Sequence, residues 1–260
     1  PEVYWPIRQV SAYFHSAADG LAAFEAIFSI LETRTPSNSL EISKVDEISW
    51  DEIEIDFPGR SKIQIPAGRI KSGELTTLIG PSGAGKSTLA ALLLGFVKPS
   101  KGEVWIHQEG IKVALSSVDL RQWRNHISWQ PQEPKFPLGS LAEILRHAQP
   151  DATEEELIFA LRNVDLDISD LPDGLSTELG TLKQKSSIGQ LRKIALARAL
   201  LKRSTLIILD EPTASVDDIS EATISRLLQR CAQEGSMVLL ISHREPLIAA
   251  STSTIVMSGI

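Results

Sequence analysis

A glycine-rich stretch that ends in a lysine and two hydroxyl residues carries the clearest chemistry in this sequence. It reads Gly80-Pro81-Ser82-Gly83-Ala84-Gly85-Lys86-Ser87-Thr88. Glycines let the backbone curl so that successive N–H groups point at phosphate oxygens, and a helix that follows adds the positive end of its dipole. The pattern G-x-x-x-x-G-K-[ST] predicts that Lys86 reaches the terminal phosphates of a nucleotide and that Ser87 places its hydroxyl on Mg²⁺. The alternative is a glycine-rich turn without a ligand, but the apolar strand before the loop and the helix after it favour phosphate binding.

A pair of acidic residues supplies the carboxylates that such a site needs. Asp210 and Glu211 follow four apolar residues, 206–209, that are typical of a buried strand. In parallel sheets ligands bind where strands end, at the carboxyl edge. We therefore expect Asp210 to hold Mg²⁺ directly or through water, and Glu211 to act as the base for a hydrolytic water. Many strands end in acids, and it is the phosphate loop beside this pair that gives it meaning.

These two segments together resemble the ATP-binding cassette (ABC) ATPases, and further positions match in the family's order. The resemblance implies ATP as the nucleotide, with Gln132 of the Q-loop as a sensor of the γ-phosphate and a ligand of Mg²⁺. It also implies Asp217 in the D-loop, His243 as the switch histidine and Phe57 as the aromatic that stacks on adenine. Taken singly, such a Gln is a surface residue, such a His is solvated and such a Phe is core; their joint order favours the functional roles. Gln130 stands where an apolar residue is more usual.

The segment Ser186-Ser187-Ile188-Gly189-Gln190 resembles the family's signature, which usually reads Leu-Ser-Gly-Gly-Gln. In this family two cassettes meet head to tail, which implies that Ser187, Gly189 and Gln190 bind a partner's ATP while Glu211 and His243 serve this chain's own. The β-branched Ile188 cannot adopt positive φ cheaply. We expect the site that this signature completes to turn over more slowly than one completed by the usual motif.

The elements that must position these residues indicate an α/β protein. Strand-like runs occupy Glu52 to Phe57, Lys62 to Ile65, Leu75 to Ile79 and Val104 to Ile106. Residues 119–165 are predicted to be mostly helical, with three prolines near the start and a helix N-terminus at residues 153–156. Helices at 189–201 and 220–233 then alternate with strands at 206–209 and 237–241. This alternation predicts a parallel sheet with helices on both faces.

The resemblance also implies which fold contains this sheet and which subdomains accompany it. It implies a P-loop NTPase fold with a RecA-like core, an antiparallel β subdomain and an α-helical subdomain at about residues 119–188. The ATP-binding domain is then expected to cover residues 40–260.

The first 39 residues have a different texture. Apolar residues recur there at helical spacing: Ile7, Val10, Phe14, Ala17, Ala18, Leu21, Phe24, Phe28 and Leu31. A linker is predicted near residues 34–40. The helix could cover a core or be the tail of a longer one, and the resemblance favours the cytoplasmic end of an exporter's last transmembrane helix. Because the chain begins at Pro1 without Met, we expect the membrane domain to have been cut away upstream.

Composition excludes several other classes. The 260 residues are 42% hydrophobic and carry a net charge of −7, which describes a folded chain and argues against a nucleic-acid duplex as partner. A single cysteine excludes a disulfide scaffold. The most apolar stretch, Leu89 to Val97, is far too short to span a bilayer, so we expect this part of the protein to be soluble.

Among exporters the sequence resembles the CydD-type half of the bacterial CydDC family, which exports glutathione and cysteine for cytochrome bd assembly. The resemblance implies a CydC-type cassette as partner and a place at the cytoplasmic face of the bacterial inner membrane. Three alternatives stay open: a soluble ABC ATPase acting on DNA or ribosomes, a cassette that only clamps ATP, and an exporter of lipid, peptide or drug. The first would need a coiled-coil insertion or second cassette, and Glu211 disfavours the second.

Overall fold

The computed structural model describes Gly20, Leu21, Phe24, Phe28, Ile42, Gly59 and residues 44–57, 62–179 and 188–258. The chain divides into two compact units, Pro1–Asn38 and Ser39–Ile260. In the first unit the four described residues are helical, and the rings of Phe24 and Phe28 lie 5.7 Å apart between centroids. The rest of the predicted N-terminal helix and the predicted linker lie outside the described residues.

The second unit contains the strands and most of the described helices. The strands are β1 (Val45–Trp50), β2 (Ile53–Ile55), β3 (Ile63–Ile65), β4 (Gly68–Lys71), β5 (Leu75–Ile79), β6 (Val104–Gln108), β7 (Ile111–Ala114), β8 (Ile127–Gln130), β9 (Leu206–Asp210), β10 (Met237–Ile241) and β11 (Ser253–Val256). The α-helices are α1 (Lys86–Leu93), α2 (Leu120–Asn125), α3 (Leu141–Arg146), α4 (Glu154–Asn163), α5 (Ile188–Leu201), α6 (Asp218–Gln233) and α7 (Glu245–Ala249).

A five-stranded parallel sheet, in the order β11-β5-β10-β9-β8, forms the centre of this unit. Ile241 at the end of β10 pairs with Asp210 of β9 and with Leu78 of β5, and Gln130 of β8 pairs with Leu209. Four strands therefore end at the same level. The loops that leave them meet at one edge of the sheet, which is where parallel sheets bind ligands.

Both faces of the parallel sheet are covered. Residues of one face, such as Leu209 and Leu240, belong to a core cluster shared with α3, α4, α5 and α6. Residues of the other, such as Ile208 and Leu239, belong to a second cluster shared with α1 and the antiparallel sheet β4-β1-β6-β7. Every residue of β9 and β10 is buried. This explains their unbroken apolar sequences, since a strand covered on both sides has no polar face.

Two helices of this segment begin with a capping box. Thr153 caps α4 and forms a capping box with Glu156, in agreement with the helix N-terminus predicted there. Ser140 and Glu143 form the same arrangement at the start of α3. Within the described part of the chain, no helix combines the length and apolar character that crossing a bilayer demands.

One expectation for this segment is wrong. Residues 119–165 were predicted to be mostly helical, but Ile127–Gln130 is strand β8, the edge of the central sheet. Only five residues lie between the end of α2 and Pro131, which is too few to show a recognisable hydrophobic period. Pairing with β9 decides the structure, and that partner lies almost 80 residues further along the chain.

Candidate nucleotide-binding site

The loop between β5 and α1 has the backbone that only glycine permits at its sharpest points. Gly80 has a φ of 154°, and a Cβ there would lie 2.4 Å from the Met257 carbonyl oxygen. Gly83 has a φ of 82°, and a Cβ there would meet nothing within 4 Å, because this residue faces the open side of the loop. Gly80 therefore holds the loop against the sheet, while Gly83 leaves room for a ligand to approach the backbone.

Lys86 lies over the mouth of this loop. Its Nζ donates hydrogen bonds to the carbonyl oxygens of Gly80, at 2.7 Å, and Pro81, at 2.9 Å. Lys86 is also the first residue of α1, so the positive ends of the side chain and of the helix lie together. This arrangement suits an anion, and phosphate binding by Lys86 stays a prediction.

The next residue forms an oxygen-rich pair with the central sheet. The Ser87 hydroxyl donates to Asp210 Oδ2 at 2.9 Å, and Asp210 is 7% exposed. Burial raises the pKa of the Asp210 carboxyl, while the hydrogen bond from Ser87 and the charge of Lys86 lower it in part. A hydroxyl beside a carboxylate that burial disfavours suits a hard divalent cation, which would stabilise the ionised form. The residues present therefore fit Mg²⁺.

Glu211 and His243 face each other beside that pair. The distance from His243 Nε2 to Glu211 Oε1 is 3.9 Å. Burial raises the pKa of Glu211, with the charge of His243 as the largest opposing effect and those of Lys86 and Arg192 behind it. The Glu211 backbone has a φ of 49° and donates to the Ile241 carbonyl at 2.9 Å, so its position is fixed by β10. A partly desolvated carboxylate beside a phosphate site is suited to general-base chemistry.

These groups surround one cleft of about 300 Å³. Its lining consists of Ile63, Ser82, Gly83, Gly85, Lys86, Ser87, Thr88, Gln132, Asp210, Glu211, Ile241 and His243. Ten of the twelve are predicted site residues, brought together by the shared level of the strand ends. Ile63 and Ile241 are the two lining residues that the sequence did not predict, because an apolar residue in a cleft wall cannot be distinguished by type from an ordinary core residue. Gln132 is exposed, so it can respond to what the cleft holds.

Phe57 does not line this cleft. It is half-buried and packs against the core cluster that includes the antiparallel sheet. Its stacking on adenine therefore stays a prediction.

The signature and D-loop residues that the structure describes, Gly189, Gln190 and Asp217, do not line this cleft. Ser187 is outside the described residues, Gly189 is buried in the first turn of α5, and Gln190 is half-buried beside it. Ile188 begins α5 with 65% of its surface exposed. Asp217 is the N-cap of α6, and the hydrogen bonds it accepts from Ser220 lower its pKa to about 2. Nothing in this arrangement directs these groups to the chain's own cleft.

Four charged residues around the site were not singled out from the sequence. Arg192 contacts the D-loop through Ala214 and Ser215, and Lys193 reaches the start of α6. Arg244, next to His243, forms a two-bond pair with Glu221 at 2.9 and 2.7 Å. Each partner is 22 to 27 residues away in sequence, so these contacts cannot be predicted from the spacing of neighbouring residues.

Comparison with known proteins agrees with this geometry. The model of the ABC transporter family matches residues 65–214. The chain is 33% identical to the transport ATP-binding protein AarD of Providencia stuartii over 92% of this chain and 41% of that protein. It is 32% identical to the glutathione/L-cysteine transport system ATP-binding/permease protein CydD of Escherichia coli K12, over 94% and 42% of the two chains. It is equally identical to the ATP-dependent lipid A-core flippase of Chromobacterium violaceum, over 98% and 44%.

Among solved structures, a bacterial Atm1-family ABC exporter with ATP bound superposes with a TM-score of 0.81. The sequence identity is 23%, over 98% of this chain and 45% of the exporter. This likeness confirms the predicted fold class. The chain spans less than half the length of these relatives.

Proposed function

The chain belongs to the ABC transporter family, and from that premise we propose that it is the ATP-hydrolysing cassette that powers a membrane exporter. The observation that carries the proposal is the cleft at the sheet edge, where Lys86, the Ser87–Asp210 pair and the Glu211–His243 pair meet. An anion loop, a cation site and a base are the three components that phosphoryl transfer to water needs.

Each residue has a distinct task in hydrolysis. Lys86 and the loop N–H groups bind the β- and γ-phosphates, and Ser87, Asp210 and Gln132 are the residues that would hold Mg²⁺. That ion, when bound, neutralises charge on the phosphate oxygens. Glu211 accepts a proton from the water whose oxygen attacks the γ-phosphorus, while the bond to the leaving oxygen of ADP breaks. His243 is placed to orient Glu211 and to sense the γ-phosphate.

The start of the signature helix supports a second cassette. Ile188 is exposed and, like the described residues Gly189, Gln190 and Asp217, does not line the nucleotide cleft, so we assign Ser187, Gly189, Gln190 and Asp217 to a nucleotide bound by a partner in a head-to-tail pair. ATP between the two surfaces closes the pair, and hydrolysis adds charge repulsion that opens it. Residues 40–260 would form the cassette, with its helical subdomain at about 119–188 interrupted by β8, and residues 1–39 the link to a membrane domain.

For the exported molecule we favour a small thiol, glutathione or cysteine, as in the CydD relative. The branched residue at position 188 and the N-terminal segment resemble the CydD half. The partner would then be a CydC-type cassette, and the exported thiol would serve cytochrome bd assembly. The cassette would lie at the cytoplasmic face of the bacterial inner membrane. A lipid flippase at the same identity is the main competitor. Uptake of labelled glutathione, cysteine and lipid into inverted vesicles decides between them, and lipid transport alone would reject the thiol.

The test of the cassette uses Glu211→Gln. We expect this variant to bind MgATP with the wild-type Kd, to lose about a hundredfold or more in kcat because the base is gone, and to accumulate as an ATP-bound dimer in light scattering. Glu234→Gln is the matched control, because Glu234 is exposed and its carboxylate pairs with Arg230 at 3.9 Å, away from the cleft lining. A Glu211→Gln variant that hydrolyses ATP at the wild-type rate would contradict the proposal.

A further inference from the structure

Lys193 joins three parts of the molecule. Its Nζ donates to the Ser220 hydroxyl at 2.6 Å, to the Asp165 backbone oxygen at 2.8 Å and to Asp165 Oδ2 at 3.2 Å, and it lies 3.9 Å from Asp217 Oδ2. Lys193 belongs to the signature helix α5, Asp165 follows α4, and Ser220 lies in the first turn of α6. Only 12% of the lysine side chain is exposed. An ammonium so enclosed, with several acceptors, has little freedom to move apart from them.

Arg192 strengthens the same connection from the adjacent position. Its Nη1 donates to the Ala214 carbonyl and, at 2.9 Å, to the Ser215 hydroxyl. Ser215 has a φ of 66°, so these bonds hold the D-loop in a backbone conformation that non-glycine residues rarely adopt. The signature helix and the D-loop are therefore held as one unit.

The residue after Ser220 is held from the opposite side. Glu221 is 2% exposed, and its carboxylate accepts bonds from Arg244 at 2.9 and 2.7 Å and from the Thr213 hydroxyl at 3.0 Å. Arg244 follows His243, and Thr213 follows the Asp210–Glu211 pair by two residues. A two-bond Arg–carboxylate pair with a buried carboxylate fixes distance and orientation together.

We call Ser220 and Glu221 the α6 junction. Ser220 contacts Lys193 of the signature helix, and Glu221 contacts Arg244, the residue after His243. We propose that the α6 junction transmits position between His243, which serves this chain's own nucleotide, and the signature helix and D-loop, which serve the partner's, with Lys193 and Arg244 as its positioning residues. This inference rests on the proposed two-cassette function. It gives a physical route by which the state of one nucleotide alters the groups presented to the other.

The experiment is a double-mutant cycle on ATP hydrolysis by the chain, measured over a range of protein concentrations. Lys193→Met removes the contact on the signature side, and Arg244→Lys keeps the charge but removes the two-bond geometry. We expect each variant to lower kcat about tenfold and to leave the Kd for MgATP within about twofold, because neither residue lines the cleft. If both act through one junction, the double variant also falls about tenfold, whereas independent effects multiply to about a hundredfold.

Two further variants separate positioning from simple stability. Lys193→Arg, which keeps a cation with several donors, is expected to recover at least half of the lost kcat. Lys71→Met is the matched control, since Lys71 pairs with Glu47 at 3.6 Å on the antiparallel sheet, and its kcat should equal that of the wild type. Effects that multiply in the double variant, or an unchanged kcat, would each overturn the junction. A lower kcat accompanied by a higher Kd for MgATP and a lower melting temperature would overturn it too. A wild-type chain without ATPase activity would instead overturn the proposed function and the junction's role with it.

Discussion

Two regions of this cassette, the phosphate cradle and the signature face, differ in whether their residues form a cleft within this chain. The cradle, residues 80–88 with Asp210 and Glu211, forms a cleft in which Lys86 donates to the Gly80 and Pro81 carbonyl oxygens and Ser87 donates to Asp210. The signature face, Ile188 to Gln190 with Asp217, lines no part of that cleft, and Ile188 is largely exposed.

The difference lies in what fixes each region. Cradle residues follow directly from the ends of buried strands, so the register of the sheet sets their positions. The signature face depends on side-chain bonds from Arg192 and Lys193 to the D-loop and the α6 junction. The first region is therefore fixed within one chain, whereas the proposed function gives the second region its role at a partner's nucleotide.

The largest effect is expected from Lys86→Met, which tests whether the cradle is complete without the signature face. Removing the ammonium deletes charge-assisted bonds to phosphate that are worth about 1.5 to 3 kcal/mol, so the Kd for MgATP should rise about 10- to 100-fold. Fluorescence titration with a labelled ATP measures this. Lys101→Met, which breaks only an exposed pair with Glu54 at 3.3 Å, should leave Kd unchanged. An equally small effect of both variants would mean that the backbone loop binds phosphate alone.

A stability effect is expected at Gln130, on the strand that leads to the Q-loop beside the cradle. Its side chain is buried, and neither amide atom has a hydrogen-bond partner among the described residues. Gln130→Leu should therefore raise the free energy of unfolding by about 1 to 2 kcal/mol, measured by urea denaturation.

The control for Gln130 is Gln64→Leu, which makes the same change on an exposed position of β3 and should alter stability little. A destabilised Gln130→Leu would show that ordered water or the Q-loop satisfies this amide, and that the cradle side is less rigid than the comparison holds.

A smaller effect is expected from Ile188→Gly on the signature face. Restoring glycine removes the β-branched side chain from the segment that we propose meets the partner's nucleotide, so kcat in the assembled pair should rise about threefold, which is less than 1 kcal/mol. Ile111→Gly, at an exposed position of β7, serves as the control. No change in kcat would remove the reason for treating this signature as the slower one.

The smallest effect concerns pH and the Glu211 carboxyl. Burial raises its pKa above the ordinary value of 4.5, so the ionised form destabilises the folded state above the folded pKa, and the cost disappears below about pH 4. Glu211→Gln should then melt about 2 °C higher than wild type at pH 8 and at the same temperature near pH 4. Scanning calorimetry at both pH values measures this, and a constant difference at both would exclude the carboxyl as its source.

The sequence was sufficient to find those candidate site residues that form motifs of consecutive residues. The loop from Gly80 to Thr88 and the pair Asp210–Glu211 were assigned from local pattern, and the structure places both at one cleft. Strand β8 was missed because four residues before a proline carry no period, and only its pairing with β9 makes it a strand. The aromatic at position 57 was assigned from family order, but packing places it against the core.

What the sequence alone determined about this protein is its family, its phosphate loop and the order of its motifs, since these depend on residue type and local spacing. Only the tertiary structure decided which strand ends share a level and that Lys193 and Arg244 both contact the first turn of α6. It also decided that Gln130 is buried with no hydrogen-bond partner in the described part of the chain. The register of the sheet and the packing of helices on it fix which residues far apart in sequence form hydrogen bonds and which become buried. Neither the register nor the packing can be predicted from the spacing of neighbouring residues.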